Sequence, residues 1–157
     1  PLLARMVASH SAHTAACTIG AYEVPDELVH HYGILVPETA GAADSRLIGV
    51  LEKPRPDQTP SRLAISARYV FSPDIFAQID CLSPAPSGEY YLTDAISALI
   101  AAGAPVRAVR LGPREKRCDI GNHLAYFEAF VDSALDDPEH GTQMRAYLRK
   151  KLAADLS

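Results

Sequence analysis

An α/β fold, with a mixed, mostly parallel sheet flanked by helices, is what this sequence predicts, and three observations carry it. Short β-branched and apolar runs alternate with stretches of helical spacing along the whole chain. Runs such as Leu47 to Leu51 have the composition of strands buried on both faces, as in parallel sheets, and Val106 to Leu111 alternates well enough for a strand. The hop from Ile34 to Leu47 is short enough for an antiparallel pair, which makes the sheet mixed. With 157 residues, 48% of them hydrophobic and 22% charged, the chain has the size and apolar content of one domain spanning 1–157.

The elements follow in order. Leu2, Leu3, Met6 and Val7 recur at helical spacing, predicting a helix to about His13. Cys17 to Val24 is β-rich and stops at Pro25, so it reads as a strand, followed by a short turn or helix from Asp26. Ile34-Leu35-Val36 is a second strand, Thr39 to Ser45 a small polar loop, and Leu47 to Leu51 a third strand that delivers Glu52-Lys53-Pro54 at its end. Pro54 to Pro60 holds too many prolines for helix or central strand. Leu63 to Phe71 is strand by composition, and Ser72-Pro73-Asp74 opens a helix with Ser72 as cap. A loop from Ser83 to Gly88 precedes a helix over about Leu92–Ala102, with Leu92, Ile96, Leu99 and Ile100 on its apolar face. Val106 to Leu111 and Lys116 to Ile120 are read as strands, and two helices close the chain near 122–135 and 142–152.

Composition excludes several classes of function. A net charge of −4 argues against a nucleic-acid partner, which needs a basic surface. The longest candidate for a membrane span, Ala95 to Val106, is twelve residues and contains Ser97, Gly103 and Pro105, too short for a bilayer. Three widely spaced cysteines, Cys17, Cys81 and Cys118, without a C-x-x-C pair, read as reduced thiols of a cytoplasmic protein. No basic stretch followed by an apolar one opens the chain, so no signal peptide is read there. Pro1 stands where an initiator methionine would, which suggests a start inside a longer protein.

Glu52-Lys53-Pro54 is the most informative triplet. A carboxylate accepts hydrogen bonds from hydroxyls and an ammonium neutralises a phosphate, so a strand end carrying both suits a sugar phosphate. A solvated pair before a proline turn is the plainer reading of the same residues. Asp119-Ile120-Gly121-Asn122 offers an oxygen ligand for a divalent cation, or only a turn with Asn122 capping the next helix. His123 falls in that helix's first turn, where an anion is favoured, or is a surface histidine. Thr93 and Asp94 read as ordinary helix-start residues. His30-His31 is adjacent in sequence and unsuited to joint metal ligation, and His10 with His13 lacks a Cys or acidic companion. No P-loop, G-x-S-x-G, H-E-x-x-H or G-x-G-x-x-G pattern is present.

Taken in order, Tyr32-Gly33-Ile34, Glu52-Lys53-Pro54, Leu63-Ala64-Ile65 with Arg68-Tyr69-Val70, Gly88-Glu89 with Leu92-Thr93-Asp94-Ala95-Ile96, and Asp119-x-Gly121-Asn122-x-Leu124-x-Tyr126 resemble the bacterial UTP–glucose-1-phosphate uridylyltransferases, in their C-terminal part. The resemblance runs from the first helix to Arg145-Ala146-Tyr147-Leu148. It implies a Rossmann-like nucleotidyltransferase fold with two closing helices, UTP and glucose 1-phosphate as substrates, Mg2+ as cofactor, and a homo-oligomer. It further implies that Gly33 and Glu52 line the sugar site, that Lys53 contacts the sugar phosphate as the catalytic lysine, and that Asp119 lies near the metal. His123 stands where the family has a phosphate-binding lysine, Arg62 where it has asparagine, and Ala67 where it has glycine. The glycine-rich nucleotide loop of the family's N-terminal half does not occur in these residues. The expectation is therefore an enzyme whose sugar-phosphate side lies in this chain, and which is inactive as these residues alone. The alternatives are a related sugar-1-phosphate nucleotidyltransferase with another base or sugar, or a non-catalytic assembly module.

Overall fold

The structure, a computed structural model, describes residues 1–118 and 120–155, the last of these by its backbone. It divides into two compact units, Pro1–Glu115 and Lys116–Ser157.

The first unit is built on five strands: β1 (Cys17–Glu23), β2 (Gly33–Pro37), β3 (Asp44–Glu52), β4 (Leu63–Phe71) and β5 (Val106–Arg110). Helix α1 (Leu2–Ala12) precedes them, and α2 (Asp74–Asp80) and α3 (Leu92–Ala101) lie between β4 and β5. β1 pairs antiparallel with β4, β4 with β2 and β2 with β3. β5 runs parallel to β1 and antiparallel to the Asp44–Arg46 end of β3. The sheet is mixed, as expected, but among the described residues β1 with β5 is the one parallel pairing, so "mostly parallel" does not describe this chain. The physical reason is that an apolar run reports burial on both faces, and burial is blind to strand direction.

Leu35, Leu47, Leu63, Ile65 and Val106 from the strands meet Ile75 of α2 and Ile96 and Leu99 of α3 in one buried cluster. Helix α1 buries Met6. β3 starts earlier than its apolar run because Arg107 of β5 holds Asp44 at 2.8 Å, and Ser45 accepts a hydrogen bond from the Thr39 amide across the hairpin tip. Ser72 does not cap α2 by its side chain; its hydroxyl bonds the Asp74 carboxylate instead, and Pro73 occupies the cap position. No strand forms at 116–118 or at Ile120, contrary to the reading of that stretch.

Midway along β4 the ladder is interrupted. Ile19 pairs with Tyr69, but Ala21 pairs with Ile65, so Gly20 alone faces Ser66, Ala67 and Arg68. This β-bulge places Ala67 at φ +55°, the left-handed region that favours glycine. A Cβ on Gly20 would lie 2.6 Å from Ser66 Oγ and 3.3 Å from Arg68 Cβ, so glycine relieves crowding opposite the bulge. Arg62, where the family resemblance has asparagine, bonds Asp26 and donates to the Thr59 and Ser61 carbonyls, tying the proline-rich loop to the turn after β1.

In the second unit, Asn122 caps α4 (His123–Asp136) by accepting from the Ala125 amide at 2.9 Å. Helix α5 (Gly141–Asp155) follows a turn in which Asp137 accepts from the Glu139 and His140 amides. A Cβ on Gly141 would come within 2.5 Å of the Leu135 carbonyl, which explains glycine at that close approach.

Candidate functional site

The β2–β3 hairpin sets Gly33 opposite Glu52. The Lys53 amide then donates to the Tyr32 carbonyl at 3.1 Å, extending the pairing past the end of β3. Side chains of successive strand residues point to opposite faces. Lys53 escapes that rule because its φ is +43°. Its ammonium thereby ends 3.8 Å from Glu52 Oε1. A left-handed conformation costs a non-glycine residue about 1–2 kcal/mol, so the backbone is strained where the two charges meet.

The other carboxylate oxygen is held from behind. Thr93, buried in the opening turn of α3, donates its hydroxyl to Glu52 Oε2 at 2.9 Å. Gly33 lies against the same group: a Cβ there would sit 2.8 Å from Ile65 Cδ1, 3.1 Å from Thr93 Cγ2 and 3.4 Å from Glu52 Oε2. Tyr91, the residue before α3, presents its ring to the Lys53 ammonium at 5.7 Å, and its phenol donates to Glu89 Oε2 at 2.6 Å. Tyr69 stacks on Phe71 with centroids 5.3 Å apart. Burial pushes its phenol up to about 12, with the charges of Cys17 and Glu52 adding to the effect.

Glu52 and Lys53 remain reachable, their side chains 24% and 53% exposed. An ion pair this exposed contributes at most about 1 kcal/mol, so an incoming anion can draw the ammonium away. The cluster can accept hydrogen bonds from hydroxyls at Glu52 and neutralise an anionic ester at Lys53, side by side.

Residues 2–135 match the family model for nucleotidyl transferases. The chain belongs to that nucleotidyl transferase family. It is 32% identical over 152 residues to UTP–glucose-1-phosphate uridylyltransferase 2 of Streptococcus pyogenes, covering 94% of this chain and 48% of the relative. It is 29% identical over 137 residues to the uridylyltransferase of Staphylococcus epidermidis, covering 87% of this chain and 46% of the relative. A UTP-bound UGPase from Acinetobacter baumannii superposes with a TM-score of 0.77 at 28% identity, over 93% of this chain and 49% of that one. A UDP-glucose pyrophosphorylase complexed with UDP-glucose gives 0.72 at 26%, over 95% and 50%. The chain thus spans about half the length of the relatives it matches.

Of the residues singled out in this nucleotidyl transferase chain, Gly33, Glu52 and Lys53 come together. His123 opens α4 in the second unit and is exposed. Asp119 lies outside the described residues. Among the described residues no three or more His, Cys, Asp or Glu side chains are placed to hold a metal ion. The sequence reading missed Thr93 and Tyr91. Thr93 carried only the signal of a helix start, and its partner is 41 positions away.

Proposed function

We propose that this chain supplies the sugar-phosphate side of a UTP–glucose-1-phosphate uridylyltransferase, which converts UTP and glucose 1-phosphate to UDP-glucose and pyrophosphate. The observation that supports it most is the convergence of Glu52 and Lys53, with Gly33 packed closely against the Glu52 carboxylate. In this reading Glu52 accepts hydrogen bonds from the hexose hydroxyls and the Gly33 backbone forms the floor. Lys53 draws in the glucose phosphate and offsets its repulsion from the triphosphate, so that a phosphate oxygen can attack the α-phosphorus of UTP while pyrophosphate leaves. His123 enters the proposal through the family resemblance, as a substrate-binding residue in the first turn of α4, where an anion is favoured.

Magnesium belongs to the proposal through Asp119, whose carboxylate oxygens are the donor type that ion takes. Among the described residues no three or more His, Cys, Asp or Glu side chains assemble a cage for it. The free thiols Cys17, Cys81 and Cys118 support a reducing, cytoplasmic setting. No helix of the described residues is long and apolar enough to cross a membrane. A homo-oligomer completes the proposal, to be read by light scattering.

The test is kinetic, in the full-length protein. Losing one charge-assisted contact should cost about 10–100-fold, so Lys53→Ala should raise KM for glucose 1-phosphate by that factor while KM for UTP stays within twofold. Kinetics matching the wild type would remove Lys53 from the site. Absence of uridylyl transfer from the wild type would favour another sugar or base, or an assembly module.

A further inference from the structure

The opening turn of α3 touches both members of the Glu52–Lys53 pair. Thr93 donates to Glu52 Oε2, and Tyr91 faces the Lys53 ammonium with its ring. Each contact is itself secured. Thr93 is 6% exposed, so water does not readily replace its hydroxyl. The phenol of Tyr91 is tethered to Glu89 at 2.6 Å and lies 3.3 Å from Ser87 Oγ. A flexible glutamate and a flexible lysine at a strand end would otherwise sample many rotamers, at a cost of about 0.5–1.5 kcal/mol for each one fixed on binding. Here part of that freedom is removed before a ligand arrives, more for Glu52 than for Lys53.

We propose that Thr93 and Tyr91 are positioning residues: Thr93 turns Glu52 so that Oε1, beside Lys53, is the oxygen presented to a ligand, and Tyr91 holds the ammonium against it. The inference rests on the assignment of Glu52 and Lys53 to the hexose-phosphate site. Thr93 also restricts the ligand. Its methyl and Gly33 share the same narrow space, so the floor of the site is set by α3 as well as by β2.

Thr93→Val and Thr93→Ser separate positioning from packing in the full-length protein. Valine keeps the shape and loses the hydroxyl; serine keeps the hydroxyl and loses the methyl. A hydrogen bond to a charged acceptor is among the stronger kind. Thr93→Val should therefore raise KM for glucose 1-phosphate about tenfold with KM for UTP unchanged, and Thr93→Ser should stay within about threefold of wild type. Tyr91→Leu, which removes the ring, should raise the same KM about threefold, and Tyr91→Phe, which keeps it, less than twofold. The reverse order for the two Thr93 variants would show a packing role and overturn the proposal. A second readout is independent of turnover: melting temperatures of Glu52→Ala, which removes the acceptor, Thr93→Val and the double variant should be non-additive, because the two residues share one contact. Additive shifts would overturn the positioning role even in an active enzyme. If the wild type transfers uridylyl groups to no hexose phosphate, the functional assignment falls while the melting cycle still decides whether Thr93 holds Glu52.

Discussion

Ala67→Gly should make this protein more stable. Ala67 sits in the bulge of β4 at φ +55°, exposed. An L-residue with a Cβ is disfavoured there by about 1–2 kcal/mol. Glycine removes that penalty but gains freedom in the unfolded chain, which returns about 0.4–1 kcal/mol. The difference of the central values leaves a net stabilisation of about 0.8 kcal/mol. At roughly 2–4 °C per kcal/mol for a chain of about this size, the melting temperature should rise by about 2–3 °C, as read by scanning calorimetry. Ala67→Val should move it the other way, since a β-branched side chain tolerates positive φ still less. A glycine variant that melts at or below the wild-type temperature would refute the account of strain at the bulge.

Other expectations follow from the same geometry. Gly33→Ala should destabilise the protein by about 1–3 kcal/mol and impair glucose 1-phosphate handling, because the new methyl meets Ile65, Thr93 and Glu52; chemical denaturation together with KM reads both. The hydrogen bond from Arg62 holds the Asp26 carboxyl below its ordinary range. Its contribution to stability is complete above the unfolded value and fades as pH falls through the lowered one; Arg62→Ala should move the Asp26 titration, followed by NMR, up toward 3.8. Burial pushes the Cys17 thiol up to about 12, so a thiol reagent should label the exposed Cys81 and Cys118 in the native protein and reach Cys17 only after unfolding. Asn122→Ala should cost about 1 kcal/mol, seen as fraying of α4 by hydrogen exchange, because it removes the acceptor for the Ala125 amide.

Where chemistry is local, the sequence was readable. The β-branched runs became strands, and Glu52-Lys53 at the end of one became a converging pair. Asn122 proved to be the cap that its position before a helix suggested. What escaped depends on distance in sequence or on backbone shape. Thr93 looks like any residue opening a helix, and only the fold brings Glu52 to its hydroxyl. Lys53 and Ala67 adopt positive φ without being glycine, so nothing local announces either. The direction of β4 was equally hidden, since Leu63 and Ala64 are buried whether their neighbours run with them or against them. Asp119, read as a metal ligand, falls outside the described residues.

The interruption opposite Gly20 also governs how β4 can change length. Ile19 and Ala21 span two positions, whereas Tyr69 and Ile65 span four, so the surplus is even and Tyr69 and Phe71 keep the inward phase of Leu63 and Ile65. Excising a single residue from 66–68 would swing those two aromatic rings toward water, whereas excising two of the three would leave the alternation intact. Evolutionary or engineered trimming of this segment should therefore succeed in steps of two and fail in steps of one.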